Sequence, residues 1–175
     1  MPGTRFIVSE PRGQWPEGVT VTDAEGTSQF DIAGSSSLET LSLRAPGGRE
    51  LAIVQRHVRT SGFEVVAGDR QLALVRRRFG RYRISISGED IATRGSIGRG
   101  SYVLSSPAGD DLAVVSPGSS VTADLLDLLR LPSPQDLLRR PTPRIVVDIK
   151  PGNEPAIMLA AVLAIEWLCE ETSSS

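Results

Sequence analysis

A short run recurs along the chain at a nearly fixed interval. Leu51-Ala52-Ile53-Val54, Leu72-Ala73-Leu74-Val75 and Leu112-Ala113-Val114-Val115 are near copies. Each follows a turn: Pro46-Gly47-Gly48-Arg49, Ala67-Gly68-Asp69-Arg70 and Pro107-Ala108-Gly109-Asp110. Weaker copies are Ile91-Ala92 after Ser87-Gly88-Glu89-Asp90, and Phe30-Asp31-Ile32 after Asp23-Ala24-Glu25-Gly26. The starts at 30, 51, 72, 91 and 112 lie 21, 21, 19 and 21 residues apart. A repeat of that length is too short for a propeller blade, which needs about 40 residues. It is the right length for one hairpin.

Each turn is also preceded by an alternating apolar run: Val19/Val21, Leu41/Leu43, Phe63/Val65, Tyr82/Ile84/Ile86 and Tyr102/Leu104. Period-two alternation bounded by Gly, Pro and Asp marks a strand with one buried face. Gly and Asp at the tips supply the positive φ of tight hairpin turns. Five hairpins make ten strands. Arg5 to Ser9 and Arg144 to Ile149 add one at each end, about twelve in all. A sheet that large curls or closes, which also removes its edges.

The segment Ala156 to Ile165 is apolar on every face. Asn153, Glu154 and Pro155 before it read as a helix start, with Asn153 as the capping residue. A helix without a polar side is buried all round, in lipid or in protein. Spanning lipid takes about 20 apolar residues, so this helix, placed at 154–170, belongs inside the protein. A twelve-stranded barrel has a lumen that needs filling. The predicted fold is therefore mainly β: a closed antiparallel barrel of about twelve strands around a buried hydrophobic C-terminal α-helix.

These residues carry a resemblance. The turn and Leu-Ala-hydrophobic-Val units, the strand Arg144-Ile145-Val146-Val147-Asp148-Ile149 and the terminal apolar helix resemble the LURP-one-related proteins. That family is placed in the tubby C-terminal-like group with the phospholipid scramblases. The opening Arg5-Phe6-Ile7-Val8 and Val21 to Gly26 fit its start. The resemblance implies one domain over 1–175, with a twelve-stranded barrel wrapped around a C-terminal helix and 171–175 as a tail. Residues 116–143 are longer than that pattern requires and read as an inserted pair of short amphipathic helices. Leu125, Leu128 and Leu129 within 122–140 are the candidate protein-docking residues.

Enzyme chemistry finds no foothold in the sequence. The single histidine, His57, sits just past a strand in Gln55-Arg56-His57-Val58 and reads as structural. HExxH, P-loop, G-x-S-x-G and CxxC patterns are missing, and Gly98-Arg99-Gly100 is a loop rather than a dinucleotide turn. No catalytic residue, metal ligand or cofactor is expected. Cys169, the only cysteine, fits a reducing, cytoplasmic setting and reads as a packed hydrophobe. The apolar run near the C-terminus is too short to be a transmembrane segment, and Met1 to Glu10 lacks the apolar core of a secretory signal.

Charge is where the composition misleads. The net charge of −2 conceals +6 over residues 55–83, against −3 before them and −5 after. Arg76, Arg77, Arg78, Arg81 and Arg83 form the dense part of this stretch and are the candidate anion-binding residues. Strand parity, with Leu72, Leu74, Tyr82, Ile84 and Ile86 taken inward, turns Val75, Arg77, Arg81 and Arg83 outward. It leaves Arg76 and Arg78 beyond the rim or past a bulge. Arginines near an anionic membrane contribute about 1 kcal/mol each. The tubby-like group contains phosphoinositide binders and scramblases, so the resemblance implies a peripheral role at an anionic lipid surface; none of their lipid-contacting residues maps onto these positions. The alternatives are a protein-interaction scaffold using the leucine-rich insert and, lower, a small-ligand binder. Nucleic acid ranks below all of these, since aromatics are 5% of the chain and the arginines are read as having no stacking platform. Scrambling is not expected, because a proline-rich leader and cysteine-rich segments are missing.

Overall fold

The computed structural model describes residues 3–10, 18–35, 39–57, 59–118 and 142–174. Twelve strands follow one another around a closed antiparallel barrel. They are β1 (Thr4–Glu10), β2 (Thr20–Thr22), β3 (Ser28–Ser35), β4 (Thr40–Arg44), β5 (Glu50–Arg56) and β6 (Gly62–Ala67). The other half comprises β7 (Arg70–Arg78), β8 (Arg81–Ile86), β9 (Glu89–Ser96), β10 (Ser101–Ser105), β11 (Asp111–Pro117) and β12 (Thr142–Ile149). Sequence neighbours pair throughout, and β1 closes the ring against β12 through Thr4↔Ile149 to Val8↔Ile145. The final helix α1 spans Pro155–Ser173.

The twenty-residue repeat is the hairpin repeat. Val21 faces Phe30, Leu43 faces Ala52, Val65 faces Ala73, Ile84 faces Ile91 and Leu104 faces Ala113. Four of these five hairpins also share an irregularity. The register shifts by one residue just after the pair, so that Gln29, Leu51, Leu72 and Leu112 have no partner opposite them. A bulge of this kind moves every later side chain to the other face. The inward set is consequently Ala52/Val54, Ala73/Val75 and Ala113/Val115, all at most 2% exposed. Leu74 points outward, and the expected assignment of β7 is reversed from Ala73 onward. Small residues at the inward positions leave room for what fills the lumen.

The filling is α1. From Met158 to Ile165 every residue is 3% exposed or less, whichever way it faces. The helix packs against β5, β6, β7 and β12. Its start differs from expectation. Glu154 is the N-cap, Pro155 holds the first turn, and Asn153 donates instead to the Lys150 carbonyl at 3.0 Å, closing the preceding turn. Its far end runs three residues beyond 170, where Thr172 and Ser173 hydroxyls donate back to the Cys169 carbonyl at 2.9 Å. No helix among the described residues is long and apolar enough to cross a membrane. Of the predicted insertion at 116–143, only the strand ends flanking it fall within the described residues.

Candidate functional site

One end of the barrel is built around the C-terminal turns of α1, where the helix becomes acidic: Glu166, Glu170 and Glu171. The negative end of the helix dipole adds to these charges, so cations are favoured beside it. Two arginines supply them. Arg144 of β12 reaches Glu166 (3.2 Å), Glu10 of β1 (3.0 Å) and Glu170 (3.1 Å). Arg56 of β5 bonds Glu171 and also Glu39, and its guanidinium lies 5.1 Å from the Phe63 ring centroid. Phe63 in turn stacks on Trp167 at 4.5 Å. The helix end is thus held from β12 by the Arg144 ion pairs, and from β5 and β6 by a charge backed by stacked rings.

Among the described residues Glu166 is the one buried carboxylate, at 3% exposure. Tyr102 donates its hydroxyl at 3.1 Å and Arg144 its Nε at 3.2 Å. Burial nevertheless dominates and holds the Glu166 carboxyl above the ordinary range, against the pull of Arg144 and Tyr102. Burial, reinforced by the adjacent Glu166, pushes Tyr102 well above an ordinary phenol. Desolvation works against the Arg144 charge, but the three carboxylates outweigh it and raise its pKa. These groups form a charge network that ties the end of α1 to β1, β10 and β12.

The hairpin β7–β8 reaches the same end and is of a different character. Arg77 pairs in register with Tyr82, and Tyr82 reaches Cys169 and Thr172 of α1. The remaining arginines face outward in two rungs: Arg76 opposite Arg83, and Arg78 opposite Arg81. Like charges directly opposed across a ladder repel. None of these five arginines forms a salt bridge with a described residue, whereas Arg5, Arg56, Arg94 and Arg144 each hold a carboxylate. Arg77 is turned inward, contrary to the simple parity, because the bulge at Leu72 shifts the strand by one residue. Its guanidinium lies 5.7 Å from the Tyr82 ring centroid, and its Nε is buried without a hydrogen-bond partner among the described residues. A surface pocket of about 300 Å³ beside it is lined by Thr60, Ser61, Arg76, Arg77, Arg78 and Arg83. So the five candidate residues meet in one place, four on the outer face and Arg77 beneath them.

Read from the sequence, Tyr82 counts only as an inward strand residue and Phe79 is passed over, so the aromatic character of this hairpin is missed. Tyr82 and Phe79 are interleaved with the arginines, as the run Arg78-Phe79-Gly80-Arg81-Tyr82-Arg83 could have shown. Arg78 lies 5.1 Å from the Phe79 ring centroid. At the end of β5, His57 Nδ1 is 2.8 Å from the Thr60 hydroxyl, and the His57 backbone N–H donates to the Gly62 carbonyl. Cys169 is buried. Leu125, Leu128 and Leu129 lie outside the described residues. Among the described residues no cluster of three or more His, Cys, Asp or Glu side chains could hold a metal ion.

A closed meander barrel threaded by its own apolar helix, with a basic hairpin at one end, defines the class. The chain belongs to the LURP-one-related family, whose pattern matches residues 4–166. Among solved structures it is similar to the X-ray structure of an Arabidopsis thaliana protein, at 12% identity and TM-score 0.65. That match covers 95% of this chain and 91% of the other, and at such identity the likeness is one of fold. No curated protein sequence matches the chain.

Proposed function

We propose that this protein is a non-enzymatic, peripheral binder of anionic phospholipid headgroups, acting through Arg76, Arg77, Arg78, Arg81 and Arg83. The observation that carries the reading is the stack of two opposed arginine rungs without carboxylate partners among the described residues. Cross-strand repulsion of this kind works against folding, and a bound anion relieves it. Arg77 Nε, buried and without a hydrogen-bond partner among the described residues, supplies a further donor beside the pocket that Thr60 and Ser61 also line. The lumen is taken up by α1, which argues against a small ligand held within the barrel.

The test is cosedimentation with phosphatidylcholine vesicles, with and without phosphatidylserine. The wild-type chain is expected to bind only the anionic vesicles, and progressively less as salt screens the arginines. Arg78→Glu/Arg83→Glu, which changes outward-facing side chains alone, is expected to abolish binding with no change in melting temperature greater than surface substitutions give. Equal binding by that double variant removes the proposal.

A further inference from the structure

Phe79 is 90% exposed, the one large hydrophobic side chain so exposed among the described residues. It also sits in a conformation that Phe disfavours. Arg78 pairs with Arg81, leaving Phe79 and Gly80 as the two-residue loop, with φ of 51° and 75°. Positive φ at both positions is the tight turn that Asn-Gly fills best, and a bulky residue there is strained. Gly80 answers that demand; Phe79 does not, and apart from the Arg78 guanidinium beside it the ring is left to solvent. An aromatic ring placed at a tip where both solvation and backbone oppose it points to a ligand outside the fold.

We infer that the β7–β8 tip is a membrane wedge: Phe79 enters the acyl boundary of an anionic bilayer while the two arginine rungs behind it bind headgroups. This rests on the lipid reading above and adds how the bilayer is engaged. The dimensions agree. The rungs Arg78–Arg81 and Arg76–Arg83 are two residues apart along the strands, about 7 Å. The headgroup layer on one side of a bilayer is about 5–8 Å thick. With the near rung at the acyl boundary and the far rung at the outer headgroup level, Phe79 alone reaches the hydrocarbon. A two-residue loop is short and stiff, so little entropy is lost on insertion. A single-stranded nucleic acid would instead need successive aromatic faces along a groove, and this hairpin ends in one apical ring.

The experiment compares the full chain with Phe79→Asn and Phe79→Trp on the same vesicles, alongside Arg78→Glu/Arg83→Glu. Asn suits the positive φ, so Phe79→Asn is expected to melt no lower than wild type. Its binding to anionic vesicles is expected to weaken roughly three- to tenfold, the share of half-burying one Phe. Phe79→Trp is expected to bind at least as tightly as wild type, and to add tryptophan fluorescence quenched by brominated acyl chains. Wild-type binding by Phe79→Asn, with the arginine double variant still defective, overturns the wedge and leaves the charge reading standing. Absence of wild-type binding to anionic vesicles overturns both, as does tighter binding to single-stranded RNA with no vesicle binding.

Discussion

Arg144 holds three glutamates at the helix end, and only Glu166 among them is buried, so the main cost of replacing Arg144 with Met falls on that charge. Met keeps much of the side-chain length while removing the guanidinium. Breaking a buried ion pair by deleting one partner costs about 3–5 kcal/mol, because the other charge is left in a low-dielectric site. For a chain of this size that is about 6–20 °C in Tm. The loss is expected to shrink in acid. The Glu166 carboxyl is already held above its ordinary value by burial, and Arg144 is the largest influence pulling it down. Without Arg144 it rises further. A carboxyl raised in the folded state binds its proton more tightly there than in the unfolded chain. That contribution is fully present below the unfolded value of about 4.3, and is lost as pH rises through the folded one. Urea unfolding of both proteins at about pH 7.5 and about pH 5 therefore gives the larger difference at the higher pH. Arg144→Met/Glu166→Leu, which removes both charges, should recover most of the loss and flatten the pH dependence. A loss below about 1 kcal/mol at neutral pH, or the same loss at both pH values, would refute the assignment of Glu166 as a buried charge sustained by Arg144.

Two further substitutions probe the barrel itself. Leu163→Ala, at a helix position with no exposure, should cost about 2.7–5 kcal/mol in denaturant unfolding, since the closed sheet cannot collapse onto the space. Gly62→Ala places a Cβ 2.1 Å from the Val75 carbonyl oxygen, a backbone atom that cannot swing aside. It should lower stability by about 1–3 kcal/mol and, by displacing Ser61 and β7 around Arg77, weaken anionic-vesicle binding.

The architecture was legible because it is written at two scales. The twenty-residue spacing is a hairpin spacing, and the run from Ala156 to Ile165 is apolar beyond what any surface helix tolerates. What parity could not deliver was the facing of β7. Counting by twos assumes an unbroken ladder, yet the repeated Leu of each Leu-Ala-hydrophobic-Val unit is the bulged residue. The regularity that revealed the hairpins therefore also hid their inward face. Arg77 moved inside on that account, and Arg76 and Arg78 moved out. Asn153 misled for a local reason: a good capping residue one position early was captured by the turn before the helix. The charge network at the helix end was not legible, because Glu10, Arg144 and Glu166 meet only when the first and last strands close over the helix. Phe79 could have been noticed from its place before Gly80, but an exposed, strained ring is a property of the folded turn.

The order of parts along the chain has a consequence for how the molecule is made. The lumen of the barrel has no content until residues 155–173 exist, and β1 has no partner on one side until β12 does. A ribosome adding about 5–20 residues per second takes roughly 7–30 s to travel from the first strand to the last. During that interval the growing chain carries finished hairpins with apolar inner faces turned to water and one strand edge open to foreign pairing. Completion thus waits for α1: only after β12 and this helix have been made can the helix enter and the ring close over it. A nascent chain stalled before residue 155 has its strands and nothing to wrap them around.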